Sequence, residues 1–546
     1  MSTTESSAPA PAGRADTADG DVDADADRGP DVVAESGSTT KRDAAPEHPR
    51  PSSAAWQRWR PLLLRWHFYA GLLVGPFLLL AAVTGLLYAV VPQIDSAVYR
   101  HELTVDRVGS ERVPLAQQVA AARATHPEGT VTSVTPADAA DATTRVALAV
   151  DDVPEGYGRT VFVDPYSGEV RGALTTYGQW LPVRAWFDEL HRNLHLGDIG
   201  RNYSELAASW LWVIALGGLV LWIGHRRRTG KARRLLVPDR DAQRRQRTLS
   251  WHGAVGIWIA VGLFALAASG LSWSRYAGDN IAELRAAMSW STPSVTTAAD
   301  PAAAAAAGGH VGHGAPSPAA ALPETQALAG IDRAYAAARA AGLADPMNLV
   351  PPAAAGDAWS ATENKRDAPT RYDSVAVDPD TGRVVDRVDF AQWPLTAKLT
   401  EWIINAHMGV LFGLVNQIVL AVLALGLITV IVRGYLMWWR RRPSSARTAA
   451  SRRKLPAAPP AGALARLRPV EAVALVVVVA GLGMVVPLLG IPLAAFLLID
   501  TARGIVVGRQ GRRYAGSNNG GRGRRDADRQ TGPGGTLTGS RTEGNT

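Results

Sequence analysis

Cysteine is absent from the 546 residues, and its absence removes several kinds of chemistry at once. The chain can form no disulfide, no cysteine-ligated iron–sulfur cluster and no thiolate-bound or covalently attached haem. Any metal or haem must therefore be held by histidine, methionine or oxygen ligands. The chain also lacks a G-x-G-x-x-G segment that follows a strand, so no nicotinamide or flavin dinucleotide domain is predicted.

Large apolar side chains are nearly absent from residues 1–55, which are rich in Ala, Asp, Ser and Pro. A segment of this composition cannot bury enough surface to fold, so we predict a disordered cytoplasmic tail. It lacks the basic, apolar and small-residue regions of a signal peptide, so the first apolar span should act as the export signal. Residues 508–546, rich in Gly, Arg and Asn, are predicted to be a second disordered tail.

Long apolar runs occupy much of the remaining chain, and each can cross about 30 Å of hydrocarbon at about 1.5 Å per residue. The four predicted transmembrane segments are residues 56–94, 186–225, 251–275 and 398–440. A fifth apolar region, residues 470–507, is interrupted by Pro487, Gly490 and Pro492, so it is either a hairpin or one span with an interfacial piece. The sequence therefore predicts an all-α membrane bundle.

The net charge of +8 is concentrated in short segments beside the spans, notably residues 226–250 and 441–469. Arginine and lysine mark the cytoplasmic side of membrane proteins, so we predict that both segments and the N-terminus are cytoplasmic, with the spans in the cell membrane. The excess of basic over acidic residues is thus explained by membrane topology, and no nucleic-acid partner is predicted.

Two polar segments, residues 95–185 and 276–397, are predicted to face outward. Each contains a helical pattern followed by strand-like runs, so each should be one small α+β domain. The helical patterns lie near residues 115–124 and 325–341, and the strand runs lie at 145–150, 160–163, 372–377 and 383–388. An Ala/Gly/Pro linker, residues 298–321, accounts for the greater length of the second segment.

A Val-Asp-Pro-x-Ser/Thr-Gly-x-Val motif occurs once in each polar segment, at residues 163–170 and 377–384. Proline fixes φ and glycine permits a positive φ, so each motif predicts a tight turn between two strands. The motif aspartates, Asp164 and Asp378, are interpreted as structural.

Histidine recurs at the start of four apolar spans, in a sequence that repeats itself once. His67 matches His252, and His191 matches His407. The glycines that follow at matching offsets are Gly71 and Gly256, Gly85 and Gly270, Gly197 and Gly413, and Gly218 and Gly434. Such self-similarity indicates a duplicated unit. Ionisable residues in membrane segments are costly, and function is their default explanation.

The four imidazoles predict haem, because haem iron accepts a neutral imidazole nitrogen on each face. On the predicted topology, His67 and His252 lie near the cytoplasmic face, whereas His191 and His407 lie near the outer face. One b-type haem at each level, two in all, would make an electron path across the bilayer.

Gly71 and Gly256 lie one helical turn from the first pair of histidines and would leave room for a flat macrocycle. Arg65, Arg192 and the basic loop, residues 226–250, are candidates to pair with haem propionates. The other glycines of the repeat also have a simpler interpretation, which is close packing of helices.

Other interpretations stay open for single histidines. A histidine at a membrane edge is typically an interfacial polar residue, and only the repeated offsets argue otherwise. His195 lies four residues after His191 and could replace it, whereas His225 lies in a basic run and fits an interfacial role better than a ligand role. His310 and His313 have a metal-like spacing, but they lie in the low-complexity linker, whose composition alone accounts for them.

The two polar segments, with their Val-Asp-Pro-x-Ser/Thr-Gly motifs, lie between spans that begin with histidine, and this arrangement resembles the PepSY-associated transmembrane family. The resemblance covers roughly residues 56–442. It implies a duplicated membrane bundle with two extracytoplasmic PepSY-like domains. Some members are implicated in iron uptake, and some are similar to inner-membrane ferric-siderophore reductases that carry b-type haem. Isolated PepSY domains are linked to the regulation of extracytoplasmic peptidases.

Three functions are consistent with these features. The first is a haem-b oxidoreductase that passes electrons from a cytoplasmic flavin, quinol or reductase to an outer ferric chelate, whose oxygen ligands hold ferrous iron less tightly. The second is a membrane-anchored domain that binds a peptide or peptidase and has no cofactor. The third is a metal-chelate transporter, which is disfavoured because the halves run in the same direction and no core span is expected to be broken.

Overall fold

Helices form from the apolar runs and strands from the polar segments in the part of the chain described by the structure, a computed structural model. The described residues are 54–230, 234–298, 323–440, 459 and 462–506. The predictions for the two tails, for most of the 298–321 linker with His310 and His313, and for most of the 441–469 linker lie outside them.

Fifteen helices occur in the described residues. They are α1 (Ala54–Leu73), α2 (Gly75–Tyr88), α3 (Val91–Val98), α4 (Arg100–Leu103), α5 (Leu115–Thr125), α6 (Pro182–Asn193), α7 (Gly197–Arg228), α8 (Arg244–Ser272), α9 (Tyr276–Ala287), α10 (Glu324–Ala327), α11 (Ile331–Ala340), α12 (Leu395–His407), α13 (Gly413–Trp439), α14 (Pro469–Val485) and α15 (Pro487–Val506). Helices α7, α8, α13 and α15 are each long and apolar enough to cross a membrane, and α1 with α2 makes a fifth, bent span. The predicted multi-pass helical bundle is therefore confirmed.

The end of the bundle where α7 ends and α8 begins carries the arginines of residues 226–228 and 244–247, and we call it the basic side. The opposite end, where α8 ends and α7 begins, leads into the strands, and we call it the sheet side. Apolar side chains from α1, α7, α8 and the C-terminal helices pack into one buried cluster between these ends.

The first span is bent by 57° between α1 and α2, which corrects the expectation that no core span is broken. Pro76 has no N–H to offer the carbonyl of Leu72, so the helix cannot continue regularly there. The hydroxyl of Tyr435 donates to that carbonyl over 2.8 Å. A Cβ at Gly75 would lie 2.9 Å from the Tyr435 hydroxyl, so glycine is needed for this approach. The bend is thus satisfied by a side chain from α13.

The C-terminal apolar region is a hairpin, the first of its two predicted alternatives. Its tip is tight, since a Cβ at Gly490 would come within 2.1 Å of the Cα of Gly483. Its two ends also meet, because a Cβ at Gly504 would lie 2.6 Å from the Cα of Gly462. Prolines at the start of both α14 and α15 fit the first turn of a helix, where an N–H has no partner.

All eight strands in the described residues belong to one antiparallel sheet. The strands are β1 (Thr130–Thr135), β2 (Thr144–Ala149), β3 (Tyr157–Val163), β4 (Val170–Tyr177), β5 (Met347–Val350), β6 (Trp359–Glu363), β7 (Ser374–Val377) and β8 (Val384–Val388). Their order is β4-β3-β2-β1-β5-β6-β7-β8, so each polar segment contributes a four-stranded meander. The two meanders join where β1 pairs with β5, at Val134 and Leu349.

The two predicted outer domains therefore share one sheet rather than standing apart. Helices α5 and α11 pack on it, and apolar residues of both segments form a single buried cluster. The carboxylate of Asp332 on α11 accepts hydrogen bonds from the backbone N–H groups of Leu115 (2.6 Å) and Ala116 (3.3 Å) at the start of α5. The two segments are thus tied by strand pairing, by a shared core and by a helix cap.

Both Val-Asp-Pro-x-Ser/Thr-Gly motifs form the predicted turns. The Oδ1 of Asp164 accepts from the N–H of Tyr166 over 2.8 Å, and the Oδ1 of Asp378 accepts from the N–H of Thr381 over 2.8 Å. The hydrogen bonds from Thr381 lower the pKa of Asp378. Because these carboxylates are occupied by their own turns, they fit the structural role expected of them.

Candidate functional site: two histidine pairs

The four repeated histidines lie as two pairs in the bundle. The ring centres of His67 on α1 and His252 on α8 are 6.1 Å apart. The ring centres of His191 on α6 and His407 on α12 are 6.4 Å apart. These are the two combinations that the predicted topology placed at the same membrane depth. In both pairs, one histidine comes from each half of the chain.

The first pair, His67 and His252, is oriented by backbone carbonyl groups. The Nδ1 of His67 lies 3.0 Å from the carbonyl oxygen of Ile214 on α7, and the Nδ1 of His252 lies 2.8 Å from that of Val430 on α13. A carbonyl oxygen can only accept, so each Nδ1 carries the proton and donates it.

Hydroxyl groups orient the second pair, His191 and His407. The Oγ1 of Thr84 on α2 lies 2.9 Å from the Nδ1 of His191, and the Oγ of Ser269 on α8 lies 2.5 Å from the Nδ1 of His407. Each hydroxyl donates its own hydrogen to a carbonyl one turn earlier on its helix, that of Leu80 or Ala265. The hydroxyl therefore accepts from the imidazole.

All four imidazoles consequently share one tautomer, with the proton on Nδ1 and a lone pair on Nε2. Histidine ligands of metals characteristically donate their other ring N–H to a carbonyl or a similar acceptor, which sets the tautomer and the ring orientation. Each Nδ1 partner lies in the same half of the chain as its histidine, whereas the facing histidine lies in the other half. Each half thus presents two oriented rings, and the halves together make the pairs.

The spacing of the paired rings fits two ligands of one metal ion. Two imidazoles on opposite sides of a metal have ring centres about 6 Å apart, since each metal–nitrogen bond is about 2.0–2.1 Å. No group of three or more His, Asp or Glu residues suited to a metal ion occurs in the part of the chain that the structure describes. A donor set of two neutral imidazoles fits a haem, which supplies the other four iron ligands itself.

A glycine contacts the Cε1 edge of three of the four rings. A Cβ added at Gly218 would lie 2.9 Å from the Cε1 of His67, and one at Gly85 would lie 3.1 Å from that of His191. At Gly434, the corresponding distance to His252 is 3.7 Å. A Cβ at Gly270 would lie 4.0 Å from the Cε1 of His407, which is a looser approach. These glycines therefore allow close packing against histidine rings as well as between helices.

Gly71 and Gly256 occupy a different environment from these packing glycines. A Cβ at either position would meet no described atom within 4 Å. Open space therefore lies one turn along from both His67 and His252, on α1 and α8. Such space leaves room for a flat group beside the two rings.

The alternative histidines lie away from the pairs. Leu194 and His195 both have a positive φ of 56°, and this left-handed turn redirects the chain from α6 into α7. The imidazole of His195 therefore contacts Trp186 and lies 3.1 Å from the carboxylate of Glu189. His225 stacks on Trp222 at the basic end of α7.

Two of the three propionate candidates, Arg65 and Arg192, are engaged with acids, whereas the third, the basic loop, contributes Arg244 and Arg247 at the start of α8. Arg65 is buried and forms an ion pair of 2.5 Å with Asp500 on α15. The Nε of Arg192 lies 3.6 Å from the Asp188 carboxylate. Arg65 is therefore better explained as the tie between the first span and the C-terminal hairpin than as a propionate partner.

The two histidine levels are far apart along the bundle. His252 and Ser269, the latter bonded to His407, lie on the same helix α8. At about 1.5 Å of rise per residue, these positions are about 25 Å apart. This distance is most of the roughly 30 Å thickness of a bilayer's hydrocarbon core.

Bundle and sheet together define a multi-pass membrane protein with a paired-histidine core. The chain belongs to the family described as the PepSY-associated TM region, whose model matches residues 64–441. The resemblance drawn from the motifs is therefore confirmed, and the match spans both halves and both histidine pairs. No curated protein matches the chain.

Proposed function

We propose that the protein is a haem-b membrane oxidoreductase that passes electrons from a donor at the basic side to a ferric chelate at the sheet side. The observation that carries this proposal is the arrangement of the histidines. Two pairs lie about 25 Å apart along α8, and every ring is held in the tautomer whose Nε2 can bind a metal.

Haem bound by each pair would supply reversible one-electron chemistry of iron, which no side chain of this chain provides. His67 with His252, and His191 with His407, are the ligands we assign. Ile214, Val430, Thr84 and Ser269 hold the rings in place through Nδ1.

The chemistry at the sheet side supports an anionic acceptor. Arg184 lies on α6, two turns before His191, and its guanidinium carbon is 3.8 Å from the centre of the Trp180 ring. Arg366 approaches the same ring at 5.0 Å. The Nη2 of Arg184 is buried and has no hydrogen-bond partner in the described residues. The carboxylates of Asp95, Asp188 and Glu401 lie close enough to interact with these arginines, so the positive charge is partly balanced. The aromatic face and the unbonded Nη2 of Arg184 are what suit a negatively charged ferric chelate, such as a ferric siderophore.

The bend at Pro76 would be expected of a transporter span, but its freed carbonyl is already bonded to Tyr435. The shared sheet also joins the two halves, whereas alternating access requires one half to rock against the other. Peptide or peptidase binding by the sheet is the remaining alternative, and it predicts a protein without haem.

The test is to purify the full chain in mild detergent and to record absorption spectra in the oxidised and the dithionite-reduced states. A pyridine haemochrome assay gives the haem stoichiometry. We expect a b-type spectrum and two haems per chain, and one haem fewer in each of the variants His67→Ala and His407→Ala. His195→Ala is the matched control and should retain both haems.

A protein that stays colourless when haem is supplied during expression would overturn the proposal. Binding of a peptide or peptidase would then be the function to test. If haem is present, the haem is first reduced by a reduced flavin. The rate of electron transfer from it to ferric chelates of different charge then identifies the acceptor class. Arg184→Gln should slow transfer to an anionic chelate more than transfer to an uncharged one.

A further inference from the structure

A cavity of about 440 Å³ lies at the basic side, between the start of α8 and the end of α13. Its volume is within the range of small-ligand sites, roughly 300–1,000 Å³. The residues that line it are Arg244, Arg247, Thr248, Trp251, Arg433 and Arg440. Four of these six side chains are arginines, and none is a carboxylate.

Two of the arginines are held in place by described neighbours that carry no negative charge. The guanidinium of Arg433 lies 5.2 Å from the centre of the Trp251 ring. Its Nε is buried and has no hydrogen-bond partner among the described residues. Arg440 donates from Nη1 to the hydroxyl of Thr248 over 2.9 Å. Neither contact neutralises a charge, so the cavity attracts an anion.

Several donors in one cavity favour an anion with several oxygen acceptors. Guanidinium groups match phosphate oxygens in pairs, and their geometry suits phosphate better than a single-atom ion. The indole of Trp251 adds an apolar face beside the charged groups. A phosphate ester that carries an apolar portion therefore fits the lining of the cavity.

The position of the cavity indicates where such a phosphate comes from. It lies at the basic end of two membrane-capable helices, where arginines and a tryptophan meet the headgroup layer. Only 6% of the membrane window of α13 is buried within the protein, so the helix beside the cavity is open to lipid. Basic pockets between transmembrane helices characteristically bind anionic headgroups.

We propose that this cavity is a binding site for the phosphate headgroup of an anionic phospholipid. Arg433 and Arg440 contact the phosphate from α13, and Arg244 and Arg247 contact it from α8. Trp251 packs against the glycerol and the first part of the acyl chains. The site borders the first histidine pair, because Trp251 precedes His252 and Arg433 precedes Gly434, which packs against the His252 ring. Lipid binding there is measured directly and needs no bound haem.

The experiment is native mass spectrometry of the full chain in detergent after removal of lipid. The protein is titrated with phosphatidylglycerol and, separately, with uncharged phosphatidylcholine. Arg433→Gln/Arg440→Gln is compared with Arg228→Gln/Arg245→Gln, which removes the same charge from exposed residues at the basic side that do not line the cavity.

We expect the wild-type protein to bind phosphatidylglycerol in preference to phosphatidylcholine. The cavity variant should bind about 25-fold more weakly, at about fivefold per arginine, and the control should change by less than about twofold. If the cavity variant does not fold, the exposed Arg244 and Arg247 are replaced instead, and the same loss is expected. Equal loss in the two double variants, or no loss in either, would overturn the site.

Two further titrations distinguish a lipid headgroup from a soluble phosphate as the ligand. Inorganic phosphate and flavin mononucleotide are each added to the lipid-free protein. If either binds with the same dependence on Arg433 and Arg440 while phosphatidylglycerol does not, the lipid assignment is overturned and a soluble ligand takes its place. If neither competes with bound phosphatidylglycerol at millimolar concentration, the lipid assignment is supported.

Discussion

At the scale of single residues, the two histidine pairs differ in what holds Nδ1. Carbonyl oxygens hold His67 and His252, and no substitution can remove a carbonyl. Hydroxyls hold His191 and His407, and these can be removed one at a time. The second pair is therefore where the importance of ring orientation can be measured.

Thr84→Val keeps the shape of the side chain but removes the acceptor for the Nδ1 proton of His191. We expect haem affinity at the second pair to fall about 10- to 100-fold, since loss of a histidine's hydrogen-bond partner has effects of this size in metal sites. Titration of the apoprotein with haem measures this affinity, and the reduction potential of the bound haem is a second readout. Thr84→Ser retains the hydroxyl and should restore both values; an equal loss in both variants would contradict the assignment.

The packing glycines offer a comparison between matching positions of the repeat. A methyl group at Gly218 would lie 2.9 Å from the Cε1 of His67, which is closer than carbon atoms can pack, whereas one at Gly434 would make an ordinary 3.7 Å contact with His252. Gly218→Ala should therefore displace His67 and destabilise the protein by about 1–3 kcal/mol. Gly434→Ala should be neutral or slightly stabilising, because alanine favours helix. Unfolding midpoints in detergent test this contrast, and a similar response of the two variants would contradict it.

At the scale of elements, the buried ion pair of Arg65 and Asp500 joins the first span to the C-terminal hairpin. Their side chains are 4% and 0% exposed. Asp500 also accepts hydrogen bonds from the backbone N–H groups of Gly462 and Ala463, so it holds the base of the hairpin closed.

Asp500→Ala would leave the Arg65 charge buried and unpaired, and removal of one partner of a buried pair costs about 3–5 kcal/mol. We expect a large fall in the unfolding midpoint, together with faster proteolysis between α14 and the rest of the bundle. Asp152→Ala, which breaks an ion pair with Arg159 at an exposed position, is the control and should change little. Equal midpoints for the two variants would rule out this role for Asp500.

The local sequence pattern predicted those helices, strands and turns whose formation depends on neighbouring residues in the chain. Helix α5 and strands β2, β7 and β8 lie within a residue or two of their predicted positions, as do both aspartate turns. The central strands β1, β5 and β6 were missed, because their polar and short sequences resemble loops. Their pairing joins residues far apart in the chain, and no local periodicity reports such a contact.

At the scale of the whole molecule, orientation across the bilayer stays a prediction, and the lack of cysteine makes it easy to test. Ser167 lies in a turn of the sheet, and Thr229 lies at the basic end of α7. We expect Ser167→Cys to react with an impermeant maleimide on intact cells, and Thr229→Cys to react only after the membrane is opened. The reverse pattern would place the basic side outside.

The pairing of histidines at two levels could be predicted from the sequence. The predicted topology and the repeated offsets together constrain the depth of each histidine in the membrane. The partners of Nδ1 could not be predicted in the same way. The Thr84 and Ser269 positions repeat beside glycine, which is a usable signal, but the carbonyls of Ile214 and Val430 leave no trace in residue identity. Backbone acceptors depend on the helix register, which only three-dimensional packing determines.

Every histidine pair takes one ring from each half of the chain, and the β1–β5 seam joins the same two halves. A polypeptide cut between α7 and α8 would therefore yield two fragments that each hold one ring at both levels and complete neither. The two fragments would behave as obligate subunits of a heterodimer, in which association and assembly of both sites are the same event. In the intact chain, the connecting loop keeps the two halves at a one-to-one ratio. Their association is then intramolecular, so it does not depend on protein concentration.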